Sequence, residues 1–259
     1  MTAWELHQGE ALDLLADLPA GSVDAVVTDP PYSTGGMVRS DRTTSTISKY
    51  VSTGATVRGH EFSGDNRDQR SYLAWSELWM RTARRATRTG GHLIVFADWR
   101  QLPTTTDAVQ AAGWVWRGVV TWAKPVDQAR PVKGGFRNQA EYVIWATVGP
   151  HTPDDDAPYL PGVIQAGSPR GQHRVHITQK PLDLLTQLVQ VAPVDGLILD
   201  PFAGSGTTGI AAIQTGRRFV GAESHPDIAT VARDRIAAAA GDWTHTTTPN
   251  LFTTQESTV

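Results

Sequence analysis

Residues 197–209 read LILDPFAGSGTTG, an apolar run that leads through a glycine-rich turn into a helix-forming segment. The run 197–199 suits a buried strand, and Gly204 and Gly206 permit a tight turn that a ligand can approach closely. Free backbone amides at the start of the following helix favour a ligand that carries an anionic or carboxylate group. Glu223 ends the next predicted strand, where a carboxylate can accept hydrogen bonds from two ribose hydroxyls. This part of the chain therefore predicts a binding site for a nucleoside cofactor.

Strands and helices alternate on both sides of this turn. The C-terminal part predicts helices over 182–191, 207–215 and 226–240, and strands over 197–199 and 218–221. The upstream part predicts helices over 10–18, 72–89 and 101–112, and strands over 23–28, 92–96, 115–122 and 141–148. Gly90 and Gly91 are expected to stop the second of these helices. Such alternation is typical of an α/β fold, in which a largely parallel sheet is covered by helices on both faces.

The organisation expected from the 259 residues is one domain over 1–242 and a polar tail over 243–259. A mobile loop is predicted over 33–70, and loops over 123–139 and 149–174. Hydrophobic residues make up 40% and charged residues 19%, as in soluble globular proteins. The N-terminus shows no signal-peptide pattern and no window reaches the length of a membrane span, so a cytoplasmic location without membrane contact is predicted.

Charge and cysteine content restrict the function. A net charge of −3 gives no overall attraction to nucleic acid, so contacts with DNA need local basic patches. Cysteine is absent, which excludes disulfides, thiolate metal sites and a cysteine nucleophile.

A second motif, Thr28-Asp29-Pro30-Pro31-Tyr32, follows the predicted strand 23–28. Ligands of open α/β sheets bind at this carboxyl end of the strands. Two prolines fix the backbone, so that a carboxylate, a carbonyl and an aromatic ring are held in a set geometry. Asp29 and the Pro30 carbonyl can accept both hydrogens of an exocyclic amine, while Tyr32 can stack on the base. The motif predicts a site for a flipped-out nucleobase.

Together the two motifs resemble those of the amino-group DNA methyltransferases, which use S-adenosylmethionine to methylate N6 of adenine or N4 of cytosine. The tetrapeptide precedes the cofactor loop, as in the β group of that family, and the resemblance extends from about residue 4 to residue 240. An aspartate in first place of the tetrapeptide is associated mainly with adenine, so Asp29 points to an adenine-N6 enzyme. The resemblance also implies a Rossmann-like class I methyltransferase fold with seven strands. In it 4–7 pairs with 218–221, and 141–148 is the one antiparallel strand, hairpinned to 115–122.

The resemblance assigns roles to particular residues. The implied catalytic residues are Asp29, Pro30, Pro31 and Tyr32. The implied cofactor contacts are Glu10, Thr178, Lys180, Asp200, Phe202, Ala203, Gly204, Ser205, Gly206, Thr207, Thr208 and Glu223. Thr178 and Lys180 belong to the segment HITQKP, whose counterpart in the family approaches the methionine part of the cofactor.

The expected reaction needs positioning more than activation. The target base leaves duplex DNA and lies with its amine in line with the sulfonium methyl group, so that S-adenosylhomocysteine is the product. Because the sulfonium is itself a strong methyl donor, no metal is expected. Methylation at cytosine C5 is excluded, since related enzymes use a cysteine for it.

Basic residues of the predicted loops are the candidate DNA contacts. These are Arg39, Arg42, Lys49, Arg58, Arg130, Lys133, Arg137, Arg170 and Arg174. Basic loops can contact phosphates, and an arginine in the major groove can read guanine. The arginines over 81–88 are interpreted as a solvent face, and Trp75 and Trp79 as core residues. The region 123–174 is a candidate target-recognition insert, and its shortness favours a homodimer.

Three alternatives remain at this point. The same fold can act on N4 of cytosine. A nicotinamide oxidoreductase would explain Gly204, Gly206 and Gly209 as a dinucleotide turn, with Glu223 about 20 residues on, but it would leave Asp29-Pro30-Pro31-Tyr32 without a role. A DNA-binding module with a decayed catalytic site would not need both motifs.

Overall fold

The computed structural model describes residues 3–33, 67–153, 155, 157–168 and 179–241. They form an eight-stranded sheet, and its strands are β1 (Trp4–Gln8), β2 (Val23–Thr28), β3 (Thr87–Ala97), β4 (Val115–Ala123), β5 (Ala140–Thr147), β6 (Val163–Gln165), β7 (Leu197–Asp200) and β8 (Arg218–Glu223). The described helices are α1 (Ala11–Asp17), α2 (Gln69–Ala86), α3 (Leu102–Ala111), α4 (Leu182–Leu188), α5 (Thr207–Gln214) and α6 (Pro226–Ala239), with short 3-10 turns at Val126–Gln128 and Val189–Val191. None of these helices is long and apolar enough to cross a membrane.

The strand order is β1-β8-β7-β2-β3-β5-β4-β6. Every pairing is parallel except those of β5, which runs antiparallel to both β3 and β4. The α/β class, the pairing of β1 with β8 and the antiparallel β5 confirm the sequence prediction. The number of strands does not, because a short strand, β6, pairs parallel with β4 inside the segment 149–174 that was predicted as a loop. Three residues with only Ile164 buried are too few to produce a recognisable alternation.

Helix α2 differs from the prediction at both ends. It begins at Gln69, inside the predicted loop 33–70, because Asp68 caps it by accepting a hydrogen bond from the Ser71 amide at 2.9 Å. It ends at Ala86 rather than at residue 89. Thr87 is already extended, pairs with Val23 and donates its hydroxyl to the Ala83 carbonyl at 2.8 Å. The two glycines expected to stop the helix therefore lie within β3.

Two apolar layers hold the helices against the sheet. Helices α1 to α3 cover one face, where Leu15, Trp79 and Leu93 are buried together. Helices α4 to α6 cover the other face, where Leu184 and Phe219 lie in the second buried cluster. Strands with both faces buried are typical of α/β proteins.

This topology gathers polar side chains at one edge of the sheet. Strands β2, β4, β7 and β8 are parallel in direction and end at the same edge, and β5, running the other way, begins there. Asp29, Lys124, Asp200 and Glu223 stand at the ends of these four strands, and Glu141 stands at the start of β5. The candidate site is built from these ends.

Candidate active site

The turn that follows β2 holds the four predicted catalytic residues, Asp29, Pro30, Pro31 and Tyr32, at the carboxyl edge. The Tyr32 hydroxyl donates a short hydrogen bond to Asp29 Oδ1. Ser33, the next residue, has a positive φ of 53°. Burial raises the pKa of the Asp29 carboxyl, although Lys180 and Tyr32 partly offset this effect. The turn thus holds a carboxylate and an aromatic ring in fixed relation, as the motif predicts.

Lys180 is the cation of this site. Its Nζ donates to Asp29 Oδ2 at 2.6 Å and to the Tyr32 hydroxyl at 3.2 Å. The ammonium also lies 5.3 Å from the centre of the Tyr32 ring and 5.1 Å from that of Phe96. Burial alone would lower the pKa of Lys180, but the carboxylates of Asp29 and Glu141 outweigh burial and raise it. Lys180 was predicted from the resemblance as a cofactor contact, and the structure places it against the tetrapeptide.

Glu141 and Lys124 extend the site and were not among the predicted residues. Lys124 Nζ donates to Glu141 Oε1 at 2.5 Å, and Glu141 Oε2 lies 3.6 Å from Lys180 Nζ. Burial would raise the pKa of Glu141, but Lys180 and Lys124 lower it overall. The predicted hairpin of β4 and β5 contained the signal, since its register pairs Trp122 with Glu141 at the edge where Asp29 lies.

Asp200 connects the two motifs. Its Oδ1 accepts a hydrogen bond from Thr28 Oγ1 at 2.6 Å and another from the Phe202 amide at 3.1 Å. The side chain is buried, and burial raises its pKa to about 6 despite these hydrogen bonds and one from Thr208. Because Thr28 directly precedes Asp29, this carboxylate fixes the glycine loop 200–208 relative to the Asp29 turn.

The glycines of the loop have different roles. Gly204 and Gly206 both have positive φ, at 52° and 80°, which favours glycine. A side chain at Gly206 would meet Ala232 at 3.2 Å, whereas the space beside Gly204 is open apart from the Phe202 carbonyl at 3.9 Å. Gly209 packs against Ile236, which an added Cβ would approach to 2.7 Å. Gly204 is thus the position that a ligand can approach, and the other two bring α5 close to α6.

Five more of the predicted cofactor residues lie in this loop or near it. Glu223 accepts a hydrogen bond from the His225 amide at 2.8 Å, and burial raises the pKa of its carboxyl. The Glu223 carbonyl accepts from the Gly9 amide at 3.0 Å, which places Glu10, exposed at the start of α1, nearby. The hydroxyl of Thr207 is buried and, among the described residues, has no hydrogen-bond partner. Ala203 and Ser205 are buried within the loop.

Phe202 packs against two tryptophans of α2. Its ring lies 5.3 Å from that of Trp79 and 5.4 Å from that of Trp75. Trp79 is fully buried, as predicted for a core residue. Trp75 is only partly buried and carries the Arg67 guanidinium 4.3 Å above its ring, so it lies at the rim of the cofactor loop.

The described candidate DNA contacts lie on the loop between β4 and β5. Arg130 and Lys133 are exposed, whereas Arg137 donates to the carbonyls of Val126 and Ala129 at 2.9 and 3.0 Å. The remaining predicted basic residues, Arg39, Arg42, Lys49, Arg58, Arg170 and Arg174, lie outside the described residues, as does Thr178.

The arginines of α2 do more than face solvent. Arg85 donates to the carbonyls of Leu15 and Leu18 at 2.8 Å, and Arg84 donates to that of Gly113 at the same distance. These hydrogen bonds connect α2 to neighbouring segments, while Arg81 and Arg85 remain exposed, as predicted for a solvent face.

The model of the N6/N4 DNA methylase family matches residues 23–234, which include both motifs and the Glu141 strand. The chain belongs to this family. A relative, YubD of Escherichia coli (strain K12), whose name describes a methylase, is 28% identical over 232 residues, which cover 89% of each chain. The activity that family membership shows is DNA methylation.

Solved structures agree on the fold. The M1.HpyAVI–SAM complex matches with a TM-score of 0.65 and 22% identity, covering 90% of this chain and 98% of the other. The PvuII DNA methyltransferase, which is cytosine-N4-specific, matches with a TM-score of 0.66 and 16% identity, covering 93% and 92%. At these identities the likeness establishes the class I methyltransferase fold.

Proposed function

We propose that the protein transfers the methyl group of S-adenosylmethionine to the N6 amine of an adenine flipped out of duplex DNA. The observation that carries the proposal is the hydrogen bond between Thr28 and Asp200, which holds the Asp29 turn beside the glycine loop. A base at one motif and a cofactor at the other would then meet at the same edge of the sheet. Membership of the DNA methylase family supports the substrate class.

The residues around Gly204 fit the proposed cofactor. The open space beside Gly204 admits close approach of a ligand, and the buried Thr207 hydroxyl has its hydrogen-bonding capacity unused within the described part of the chain. Glu223 stands where a carboxylate can bind ribose hydroxyls. The complex of M1.HpyAVI with SAM supports the same choice of cofactor. When bound, S-adenosylmethionine supplies a methyl group on a positively charged sulfur.

The Asp29 turn then orients the amine. The Asp29 carboxylate and the Pro30 carbonyl accept its two hydrogens, which directs the nitrogen lone pair away from the ring and toward the methyl carbon. The nitrogen forms a bond to that carbon as the bond from carbon to sulfur breaks, and the amine then loses one proton. Asp29 is the nearest base for this proton, and Tyr32 holds its carboxylate in place.

Adenine is the proposed base because aspartate begins the tetrapeptide. The cytosine-N4 alternative keeps the same mechanism, and the likeness to the PvuII enzyme makes it the second candidate. Both amines present two hydrogens and a delocalised lone pair to Asp29.

The loop between β4 and β5 is the proposed DNA contact. It leaves the active edge at Lys124 and returns to it at Glu141, so whatever touches the loop also lies near Asp29. Phe136 is 99% exposed on this loop, three residues after Lys133, and such a ring can stack on bases while the cation contacts phosphate. The homodimer expected from the short recognition region stays a prediction.

The experiment for this proposal is methyl transfer from labelled S-adenosylmethionine. Unmethylated genomic DNA should gain label. Total RNA should gain little, and so should an equal mass of DNA that this protein has already methylated to completion. Label in RNA alone would contradict the proposed substrate, and an absence of label from every acceptor would contradict the proposed activity.

A further inference from the structure

Four charged side chains form a partly buried row that the proposed reaction does not fully use. The row runs from Lys124 through Glu141 and Lys180 to Asp29, with separations of 2.5, 3.6 and 2.6 Å between the charged atoms. Each of these side chains is between 12% and 24% exposed. Two cations and two anions leave the row neutral, which limits the cost of burying them.

One carboxylate oxygen of this row receives no hydrogen bond from the described residues. Glu141 Oε1 is occupied by Lys124, but Oε2 is buried and, among the described residues, has no hydrogen-bond partner. Lys180 Nζ, at 3.6 Å, is the near cation, yet this distance is too long for a hydrogen bond. A buried carboxylate oxygen without a donor is costly, so its presence beside the Lys180 ammonium calls for a physical reason.

In Asp29, unlike Glu141, both carboxylate oxygens already accept hydrogen bonds. Oδ1 accepts from Tyr32 and Oδ2 from Lys180. Under the proposed function, on which this inference rests, the target amine must also donate to Asp29. The ammonium competes for the same oxygen, and its charge would oppose the positive charge that develops on the amine nitrogen during methyl transfer.

We propose that Lys180 occupies the place of the target amine on Asp29 and moves to Glu141 Oε2 when the base enters. A shift of about 1 Å would bring Nζ within hydrogen-bond distance of Oε2. Lys180 stays paired throughout, so no buried charge is left alone during the exchange. Glu141 is then a positioning residue that acts through Lys180, and Lys124 holds it in orientation.

The test is a double-mutant cycle measured as methyl incorporation into unmethylated genomic DNA at saturating S-adenosylmethionine. E141Q removes the charge of the receiving carboxylate and keeps its shape. It should lower kcat by between about 10-fold and 100-fold, while KM for S-adenosylmethionine stays within about twofold. The matched control is E77Q, which removes the carboxylate of the exposed Arg81–Glu77 pair on α2 and should leave both constants unchanged.

The K180A background separates this role from a structural one. K180A should keep measurable turnover, because in the wild type the ammonium leaves Asp29 before the base is methylated. The double variant K180A/E141Q should have a kcat less than about twofold below that of K180A. Equal losses in both backgrounds would show that Glu141 acts without Lys180. A wild-type kcat in E141Q, or the absence of all turnover in K180A, would also overturn the exchange.

Failure of the proposed function has a different signature, since the wild-type protein would then transfer no methyl group to DNA. Thermal melting of each variant within a few degrees of the wild type shows that a lost kcat is not lost folding.

Discussion

Thr28 Oγ1 donates to Asp200 Oδ1 at 2.6 Å, which joins the Asp29 turn after β2 to the glycine loop after β7. The two residues lie 172 positions apart in the chain, yet β2 and β7 are neighbours in the sheet. Under the proposed function, this buried hydrogen bond and the pairing of β2 with β7 together set the relative position of base and cofactor.

Removing this hydrogen bond should reduce activity more than cofactor binding. In T28V the isosteric side chain keeps the packing but leaves Asp200 one donor short, which should cost about 1–3 kcal/mol of stability. We expect kcat to fall about tenfold or more, because the two motifs would no longer be held in a fixed relative position. T230V is the control, because Thr230 is exposed and donates only to Pro226 of its own helix at 3.0 Å. Steady-state kinetics with equal kcat for T28V and the wild type would contradict this.

Asp200 should also make stability depend on pH. Burial raises the pKa of its carboxyl to about 6 in the folded protein, above the value of about 3.9 in an unfolded chain. The folded state therefore binds the proton more tightly. Between about pH 4 and pH 6 its contribution to stability falls as pH rises, by up to about 3 kcal/mol.

Urea unfolding of the wild type and of D200N measures this contribution, since asparagine does not titrate. The free energy of unfolding of the wild type minus that of D200N should decrease from pH 4 to pH 6 and then level off. A difference that is constant, or that increases over this range, would contradict the assigned pKa.

Gly204 should be needed for the cofactor, beyond the backbone strain that its positive φ imposes on any other residue. G204V places a branched side chain in the open space beside the loop, so calorimetry should show at least about a hundredfold weaker binding of S-adenosylmethionine. Gly134 provides a control with similar backbone, because its φ is 72° and nothing lies near its missing side chain. G134V should bind the cofactor normally. Normal affinity in G204V would place the cofactor elsewhere.

Phe136 should affect DNA and not the cofactor. Since its ring is almost fully exposed, F136A removes no core packing. Loss of a stacking contact worth about 1–3 kcal/mol should lower kcat/KM for DNA by between about 5-fold and 150-fold. Affinity for S-adenosylmethionine should not change. V132A, a change at an exposed apolar residue of the same loop, is the control. Unchanged kcat/KM for DNA in F136A would show that the Phe136 ring is not part of the proposed interface.

The sequence predicts those parts of the site that consist of consecutive residues. Asp29 to Tyr32 and Asp200 to Thr208 each follow a strand, and parallel strands deliver their ends to a common edge, so their meeting could be expected. The contact between Lys180 and Asp29 could not, because it joins residues 151 positions apart through a side-chain conformation that no local pattern encodes.

Glu141 was missed for a related reason. An acidic residue at the start of a strand is ordinary in sequence, and its importance comes from the two lysines that the hairpin and α4 bring to it. The start of α2 depended on the Asp68 cap, which stands in a polar segment without apolar periodicity. Strand β6 forms because it pairs with β4, and a sequence of three residues does not reveal such a tertiary contact.

The most direct test of the central claim is nucleoside mass spectrometry of unmethylated DNA incubated with S-adenosylmethionine and either the wild type or D29A. We expect N6-methyldeoxyadenosine with the wild type, and none with D29A although that variant binds the cofactor with nearly unchanged affinity. N4-methyldeoxycytidine would overturn the base assignment and keep the mechanism. Equal methylation by D29A and the wild type would show that the Asp29 turn is not the site of methyl transfer.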